Sequence, residues 1–234
     1  MMQQDARSAA LIGQEQLQTL SHARVALFGL GGVGGFAAEA LVRSGIGELA
    51  LIDHDTVSLS NMNRQILASH DTLGMPKVEV AQARLKAIRP TVLLHLYNLF
   101  FTADTPFDFA AYDYIVDAVD TVSTKIALIE RAQNAHTPII SCMGTGNKLD
   151  PTRLEVADLA QTTVCPLARV MRHEARKRGI EHVKVVYSRE ELVTVVCDDA
   201  HGRHAPGSMI FVPATAGLLL ARVVGQDLSM KTVR

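Results

Sequence analysis

The stretch Val25-Ala26-Leu27-Phe28-Gly29-Leu30-Gly31-Gly32-Val33-Gly34-Gly35 decides the fold of this chain. A short apolar run of strand character stops at a cluster of glycines, and an alanine-rich helical segment follows at once. Strand, tight turn and helix together present backbone N–H groups and a helix N-terminus to a phosphate. The turn itself requires Gly29, close approach of an anion requires Gly31, and close packing of the helix on its strand requires Gly34.

A carboxylate follows at the spacing at which this kind of fold holds a ribose. Asp53 ends the next apolar run, residues 49–52, about 20 residues beyond the glycines. The pattern G-x-G-x-x-G alone is a weak signal, since ordinary turns also contain it. The flanking strand and helix, together with Asp53, favour a nucleotide site over a structural turn.

Composition limits the remaining classes of protein. The chain has 234 residues, 48% of them apolar, which is enough for one large α/β domain with a sizeable core. Its net charge of −1 excludes a polyanion-binding surface over the whole molecule, so any nucleic-acid surface must be a local patch. The N-terminal residues 1–7 are polar and contain no export signal, and the apolar run 210–224 is too short to cross a bilayer.

Cysteine usage points to the cytoplasm. Cys142, Cys165 and Cys197 are far apart, and none of them belongs to a C-x-x-C pair. This pattern fits a reducing compartment and provides no zinc site.

Short apolar strands alternate with helices up to residue 142, which predicts a Rossmann-like, mostly parallel sheet with helices on both faces. The pattern then changes, and we expect a mixed extension of the sheet. One domain, 1–234, is predicted, with a nucleotide-binding core at 24–142 and a substrate, lid and dimer half at 143–234. Helices are expected at 11–20, 33–43, 76–88, 122–135, 166–178 and after Pro213, and strands at 25–28, 48–53, 92–97, 114–117, 138–142, 182–187 and 209–212.

Charged residues cluster where the ligand of such a sheet binds, at the carboxyl ends of its strands. Asp53, Asp117 and Asp120 fall at or just after strand ends, where they either cap a helix or hold a ribose and a divalent metal. Arg64 lies in a polar segment, and Lys77 lies at a helix start, where a cation opposes the helix dipole. Lys77 is either a solvated lysine or, with Arg64 and the glycines, part of a triphosphate clamp, which we favour.

Five motifs in order resemble those of the ThiF/MoeB/HesA adenylating enzymes, relatives of the ubiquitin-activating enzymes. They are GLGGVG (29–34), DHD (53–55), SNMNRQ (60–65), GMPK (74–77) and DAVD (117–120). The resemblance covers about residues 7–142 and implies a ubiquitin-activating-enzyme-like fold that binds ATP with magnesium.

The resemblance also implies roles for individual residues. Asp53 would hold the ribose, and Asp120 would bind magnesium. Arg7, in RSAALIG (7–13), would reach the nucleotide of the partner subunit in a homodimer. The catalytic residues would be Arg64, Lys77 and Asp120. The other nucleotide-binding residues would be Gly29, Gly31, Gly32, Gly34, Asp55, Asn61 and Gln65.

The second half resembles the tRNA threonylcarbamoyladenosine dehydratase branch through SCMGTGNKLDP (141–151) and VCPLARVMR (164–172). Members of that branch use ATP to activate the carboxylate of a threonylcarbamoyl group on a tRNA adenosine, and loss of water then closes a ring. The implied protein is cytoplasmic and acts on tRNA. Sulfur-relay protein partners stay open, whereas a DNA partner and membrane association are not expected.

Two alternatives remain open at this stage. The first is an activating enzyme for a ubiquitin-like or sulfur-carrier protein, which would use Cys165 or Cys197 as a thioester or persulfide cysteine. The absence of paired C-x-x-C motifs weighs against it. The second is a non-catalytic or NAD-binding Rossmann module. The presence of both Arg64 and Lys77 is evidence against it.

A local basic patch is the candidate tRNA surface. Residues 165–189 carry seven Lys or Arg residues against two Glu. The tRNA contacts are assigned to Arg169, Arg172, Arg176 and Lys177, and the apolar residues Leu167, Val170, Met171 and Ala175 are expected on the opposite, buried side. The loop 188–208 is predicted to close over the ATP site as a lid.

Overall fold

The computed structural model describes residues 3–193, 196–198 and 204–230. Seven α-helices and nine strands are found in these ranges. The helices are α1 Ala6–Ile12, α2 Gln14–His22, α3 Gly34–Arg43, α4 Lys77–Ile88, α5 Val122–Asn134, α6 Pro166–Lys177 and α7 Phe211–Met230. The strands are β1 Arg24–Phe28, β2 Glu48–Ile52, β3 Leu93–Tyr97, β4 Tyr114–Asp117, β5 Ile139–Cys142, β6 Leu154–Asp158, β7 Lys184–Ser188, β8 Val196–Asp198 and β9 His204–Pro206.

Seven strands form one sheet in the order β3-β2-β1-β4-β5-β7-β6. All neighbours are parallel except β6 and β7, which are antiparallel. The strand order reverses direction at the gap between β1 and β4, the position at which open α/β sheets bind their ligands. The prediction of a Rossmann-like, mostly parallel sheet with a mixed extension is confirmed.

Helices cover both faces of this sheet, as predicted. Apolar side chains of α3, α4 and α7 pack on one face, in a cluster that includes Leu41, Leu85 and Leu220. Those of α5 and α6 pack on the other face with Leu128 and Met171. Strands buried on both faces are apolar along their whole length, which explains why β1 and β4 lack polar alternation.

Helix α7 overturns the strand predicted at 209–212. In the run 209–212 only Val212 is buried, whereas Met209, Ile210 and Phe211 are exposed. Burial then recurs at Ala216 and Leu220, a helical spacing of four residues. Helix α7 begins at Phe211, so Pro213 lies in its first turn and does not precede it. A proline is tolerated there because it removes no intrahelical hydrogen bond.

Other boundaries of the prediction also require correction. The helix expected at 11–20 is two helices, because Gly13 between α1 and α2 adopts φ 91°, a left-handed conformation that ends a helix. Strand β6 was missed, since its residues are all half-buried and its sequence has no apolar run. Within the described residues, no helix combines the length and apolar character that crossing a membrane requires.

Candidate nucleotide-binding site

The glycine turn joins β1 to α3 at the carboxyl edge of the sheet. Gly29 has φ 90°, and its N–H donates to the Ile52 carbonyl at 2.8 Å, which continues the pairing of β1 with β2. A Cβ on Gly34 would lie 1.8 Å from the Gly29 carbonyl oxygen, so only glycine lets α3 begin this close to β1. The turn and the first N–H groups of α3 therefore lie at the edge where an anion binds.

Asp53 follows β2 and is fixed beside this turn. One carboxylate oxygen, Oδ2, accepts the Leu30 N–H at 2.5 Å, and the other accepts the Asp55 N–H at 2.8 Å. The side chain is half-buried. Each carboxylate oxygen has a second lone pair, so Asp53 can still accept a hydrogen bond from a ribose hydroxyl.

The segment 58–65 folds back over the glycine turn. Asn61 caps it, because its Oδ1 accepts the Ser58 N–H at 3.1 Å. If Gly31 carried a Cβ, that atom would lie 3.9 Å from the Gln65 Nε2. A Cβ on Gly32 would lie 3.5 Å from the Arg64 Cγ. Two polar side chains from a later part of the chain are therefore packed against the turn.

Arg64 keeps most of its hydrogen-bonding capacity. Its Nη1 donates to the Ser60 carbonyl at 2.8 Å and to the Asn63 Oδ1 at 3.0 Å. In the described part of the chain it forms no ion pair, and its side chain is half-buried. A guanidinium with five N–H donors, held by its neighbours and unpaired with a carboxylate, can bind an anionic ligand.

Lys77 is the first residue of α4 and is connected to the glycine turn through contacts of Asp55 and Asp53. Its N–H donates to the Asp55 carbonyl at 3.0 Å, and its Nζ forms an ion pair with the Asp55 Oδ2 at 2.7 Å. The Lys77 side chain is only 4% exposed, whereas that of Asp55 is 50% exposed. Leu30, Asp53, Asp55 and Lys77 thus form one chain of contacts that brings the ammonium group to the nucleotide edge.

Asp117 does not take the role of ribose or metal ligand that its place at a strand end allowed. Its side chain is fully buried and forms an ion pair with the Lys125 Nζ at 2.9 Å. The Ser141 hydroxyl also donates to it at 2.5 Å. A carboxylate enclosed in this way cannot reach a ligand. Sequence reasoning missed Lys125, because nothing in the spacing of a helical lysine shows that it is buried.

Asp120 is the strand-end acid that remains accessible. It follows β4, is exposed, and forms no ion pair among the residues described. The preceding Ala118 contacts the glycine turn, since its carbonyl oxygen lies 2.7 Å from the position of a Cβ on Gly29. The Asp120 Oδ1 accepts only the Thr121 hydroxyl, at 3.3 Å, among the residues described, and an exposed carboxylate is the type of ligand that magnesium prefers when it also binds the phosphates of a nucleotide.

A second group of acids suits magnesium less well. Ligand atoms of Asp53, His54 and Asp55 lie within 4.8 Å of one another. The carboxylates in this group already bind backbone N–H groups or the ammonium of Lys77, and magnesium binds oxygen in preference to imidazole nitrogen. Asp120 is therefore the better candidate for the metal.

Two cysteines lie in the interior. Cys142 and Cys165 are buried free thiols, and the Cys165 Sγ lies 3.7 Å from the position of a Cβ on Gly144. Burial raises the pKa of the Cys142 thiol to about 12, so it is not a thiolate at neutral pH. The side chain of Cys197 lies outside the described part of the structure.

The basic helix α6 exposes part of the predicted patch. Arg169, Arg176 and Lys177 are exposed, and Lys177 pairs with Glu174 at 3.2 Å. Arg172 is half-buried, and its Nη1 donates to the Thr162 carbonyl at 2.8 Å, which ties the guanidinium to the protein. The prediction that Val170 faces the core is wrong: it is 45% exposed, because Ala168, Met171 and Ala175 form the buried face.

Two further predictions concern the edges of the site. Arg7 is exposed on α1. The end of the predicted lid 188–208 lies against the segment 58–65, since the Asn63 Nδ2 donates to the Ser208 carbonyl at 2.8 Å. Residues 194–195 and 199–203 of that loop lie outside the described residues.

Known proteins resemble this chain over most of its length. The profile of the ThiF family matches residues 4–215, which is most of the chain. The chain belongs to the ThiF family. A tRNA threonylcarbamoyladenosine dehydratase of Bacillus subtilis (strain 168) is 41% identical over 242 residues, which cover 97% of this chain and 95% of that protein.

A curated sequence and a solved structure from Escherichia coli are also similar to this chain. A protein of the same name from strain K12 is 38% identical over 196 residues, covering 80% of this chain and 73% of the relative. The crystal structure of E. coli tRNA N6-threonylcarbamoyladenosine dehydratase, TcdA, in complex with ATP superposes with a TM-score of 0.89 at 34% identity, covering 99% of this chain and 96% of that one.

Proposed function

We propose that this ThiF-family chain is an ATP-dependent tRNA threonylcarbamoyladenosine dehydratase. The observation that carries the proposal is the convergence of the glycine turn, Asp53, Arg64 and Lys77 at one edge of the sheet. The likeness over nearly the whole chain to relatives that bear this name supports the choice of substrate. The alternative, an activating enzyme for a ubiquitin-like or sulfur-carrier protein, is less well supported, because Cys165, one of its two candidate cysteines, is buried.

ATP would bind across the gap between β1 and β4. The N–H groups of Gly31, Gly32 and Gly34 would cradle its phosphates, and Asp53 would accept a hydroxyl of its ribose. Asn61 and Gln65 would complete the phosphate contacts from the segment that packs on the turn.

Arg64 and Lys77 would stabilise the negative charge that develops as pyrophosphate leaves. Both are held in place before ATP binds, by Ser60 and Asn63 in one case and by Asp55 in the other. Cations that are already oriented stabilise a transition state without a further cost of reorganisation. Magnesium, held by Asp120 and the phosphates, would supply additional charge neutralisation.

The chemistry that follows needs no enzymic thiol. A carboxylate is a poor electrophile, and attack of its oxygen on the α-phosphorus of ATP displaces pyrophosphate and forms an acyl-adenylate. A nucleophilic group of the same substrate then attacks the acyl carbon and the substrate loses a proton, while AMP leaves with the former carboxylate oxygen. The net change is a closed ring and the loss of one water from the modified adenosine.

The proposal extends to the assembly. We infer a cytoplasmic homodimer in which the exposed Arg7 on α1 reaches the nucleotide of the partner subunit. The tRNA backbone would contact the exposed side chains Arg169 and Arg176 of α6, with Arg172 and Lys177 at the margin of the patch. The segment 188–208, which contains strands β8 and β9, would close over the bound ATP.

Nucleoside mass spectrometry tests the proposed reaction. We expect that tRNA containing threonylcarbamoyladenosine, incubated with the protein, ATP and magnesium, yields a nucleoside lighter by one water. Omission of ATP should abolish the change. An unaltered nucleoside, with ATP consumed only when a small carrier protein is added, would instead establish the alternative function.

A further inference from the structure

A buried ionic network lies directly beneath the nucleotide edge and has no part in the site described so far. Lys125 of α5 and Asp117 of β4 both have fully buried side chains, and their Nζ and Oδ2 atoms are 2.9 Å apart. The Lys125 Nζ also donates to the Ser141 hydroxyl at 3.2 Å and to the Cys142 carbonyl at 2.6 Å. All three ammonium donors are therefore used.

The second oxygen of Asp117 continues the network toward the site. Oδ1 accepts the Val119 N–H at 3.1 Å, which fixes the turn 118–121 that follows β4. That turn contacts the glycine turn, because the Ala118 Cβ lies 3.3 Å from the position of a Cβ on Gly34. Asp120 belongs to the same turn, so its position relative to bound phosphates depends on how the turn is held.

Stability alone does not account for such a network. The free-energy cost of removing two charges from water offsets most of the attraction between them. Apolar side chains of similar volume at the same positions often stabilise a protein as well or better. A fully satisfied buried network does, however, select one arrangement of the backbone groups that it binds. Here those groups are the Val119 N–H and the Cys142 carbonyl, at the carboxyl ends of the adjacent strands β4 and β5.

We propose that Lys125 and Asp117 are positioning residues for adenylation. They hold the turn 118–121 so that the Asp120 carboxylate faces the phosphate region, and neither of them touches the nucleotide. This inference rests on the proposed function, in which Asp120 binds magnesium with ATP.

Two double variants test this role. Lys125→Met with Asp117→Asn and Lys125→Met with Asp117→Leu both remove the two charges, and Asn and Leu are close to Asp in size. Only Asn can accept the Val119 N–H. We expect the Leu variant to have a kcat about tenfold or more below that of the Asn variant, with a KM for ATP within about threefold, since Asp53 and the glycine turn are untouched.

Amide hydrogen exchange gives a readout that does not depend on the reaction. Protection of the Val119 amide should be lost in the Leu variant and retained in the Asn variant. Leu128→Ala is the matched control for general destabilisation, because Leu128 is fully buried on the same helix and has no part in the network. It should lower the urea midpoint and leave kcat per folded molecule unchanged.

Equal kcat values and equal Val119 exchange in the two double variants would overturn the positioning role. So would a loss of kcat that only follows the loss of folded protein, as in Leu128→Ala. If the unaltered protein leaves the tRNA nucleoside unchanged, the proposed function fails, and the exchange of the Val119 amide still decides whether the network holds the turn.

Discussion

Lys77 occupies a position that folding alone does not favour. Its ammonium group is almost completely buried at the first turn of α4, where the helix dipole disfavours a cation, and its partner Asp55 is half exposed. A cation kept there is better explained by an anionic ligand than by stability.

Lys77→Ala should lower kcat/KM about a hundredfold or more, because an oriented charge at the leaving phosphates is lost. The free energy of unfolding should change by about 1 kcal/mol or less, since the Lys77–Asp55 pair is open to water on one side. Lys86→Ala is the matched control. Lys86 lies in the last turn of the same helix, bound to the Pro90 and Val92 carbonyls, and its loss should not affect turnover. Turnover unaffected by Lys77→Ala would contradict the assignment.

The Cys142 thiol provides a prediction about pH. Burial raises the pKa of Cys142 from its ordinary 9.0 to about 12, so the thiol stays protonated in the folded protein at pH 8 and partly ionises there only in the unfolded chain. Iodoacetamide at pH 8 should therefore modify Cys142 only after urea unfolds the protein, as peptide mass spectrometry would show. Rapid modification of the native protein would mean that the thiol is accessible and ionised.

Serine substitutions separate the two candidate functions. Cys165→Ser and Cys197→Ser, singly and together, should leave the dehydration of tRNA unchanged, because the proposed nucleophile belongs to the substrate. Cys165 is buried under Gly144, and serine fits the same volume. Loss of activity in either variant, with the protein still folded, would favour a thioester or persulfide mechanism.

At the scale of elements, one ion-pair cluster connects α3 to α4. Glu39 on α3 binds Arg43 of its own helix at 2.8 Å and Arg84 of α4 at 2.6 Å. Partial burial alone would raise the pKa of the Glu39 carboxyl, and the guanidinium groups of Arg84 and Arg43 outweigh this effect, so the pKa lies below its ordinary value. The folded state thus binds the Glu39 proton less tightly than the unfolded chain does.

Because folding lowers this pKa, the stabilisation by Glu39 is fully present above its ordinary pKa of 4.5 and is lost as the pH falls through the folded-state pKa. Glu39→Gln should reduce the free energy of unfolding at pH 7 by about 0.5–1 kcal/mol, the usual range for pairs whose arginines are largely exposed. Urea titrations should find no difference from the unaltered protein near pH 2–3. A difference that persists at low pH would show that packing, and not charge, explains the effect.

Helix α6 gives a prediction about nucleic-acid binding. Arg169→Glu and Arg176→Glu together should weaken tRNA binding and reduce the slope of log affinity against log salt by about 1 for each phosphate that the protein no longer neutralises. Arg24→Glu is the control, because Arg24 is also partly exposed but lies at the start of β1, outside the basic patch on α6. Binding of ATP should not change in either case. An unaltered salt slope would place the tRNA on another surface.

The sequence predicted most elements of the first half and fewer of the second. Residues 24–142 contain strands that are mostly apolar, and Gly or Pro lies at the ends of α3 and α4, so both patterns are local. Strand β6 is half-buried and pairs only with β7, some 30 residues later in the chain, so no local pattern marks it. The apolar run 209–212 is mostly surface-exposed. Its composition is the same as that of a buried strand, so the sequence cannot distinguish the two.

At the scale of the whole molecule, the site was predictable as a list of residues and less so as a geometry. Order and spacing along the chain identified Asp53, Arg64 and Lys77. They did not distinguish the accessible Asp120 from Asp117, since both follow the same strand and differ only in burial. Side-chain contacts between distant parts of the chain, such as the contact between Ser141 and Asp117, carry that information, and they exist only in the folded protein.

Transfer of a labelled oxygen tests most directly whether one bound ATP activates the carboxylate by adenylation. Threonylcarbamoyladenosine in tRNA, labelled with oxygen-18 in its carboxylate, would be incubated with the protein, ATP and magnesium. The account predicts one AMP and one pyrophosphate per dehydrated adenosine, with the label in the phosphate of AMP. Formation of ADP and labelled inorganic phosphate, or dehydration with no label in AMP, would contradict it.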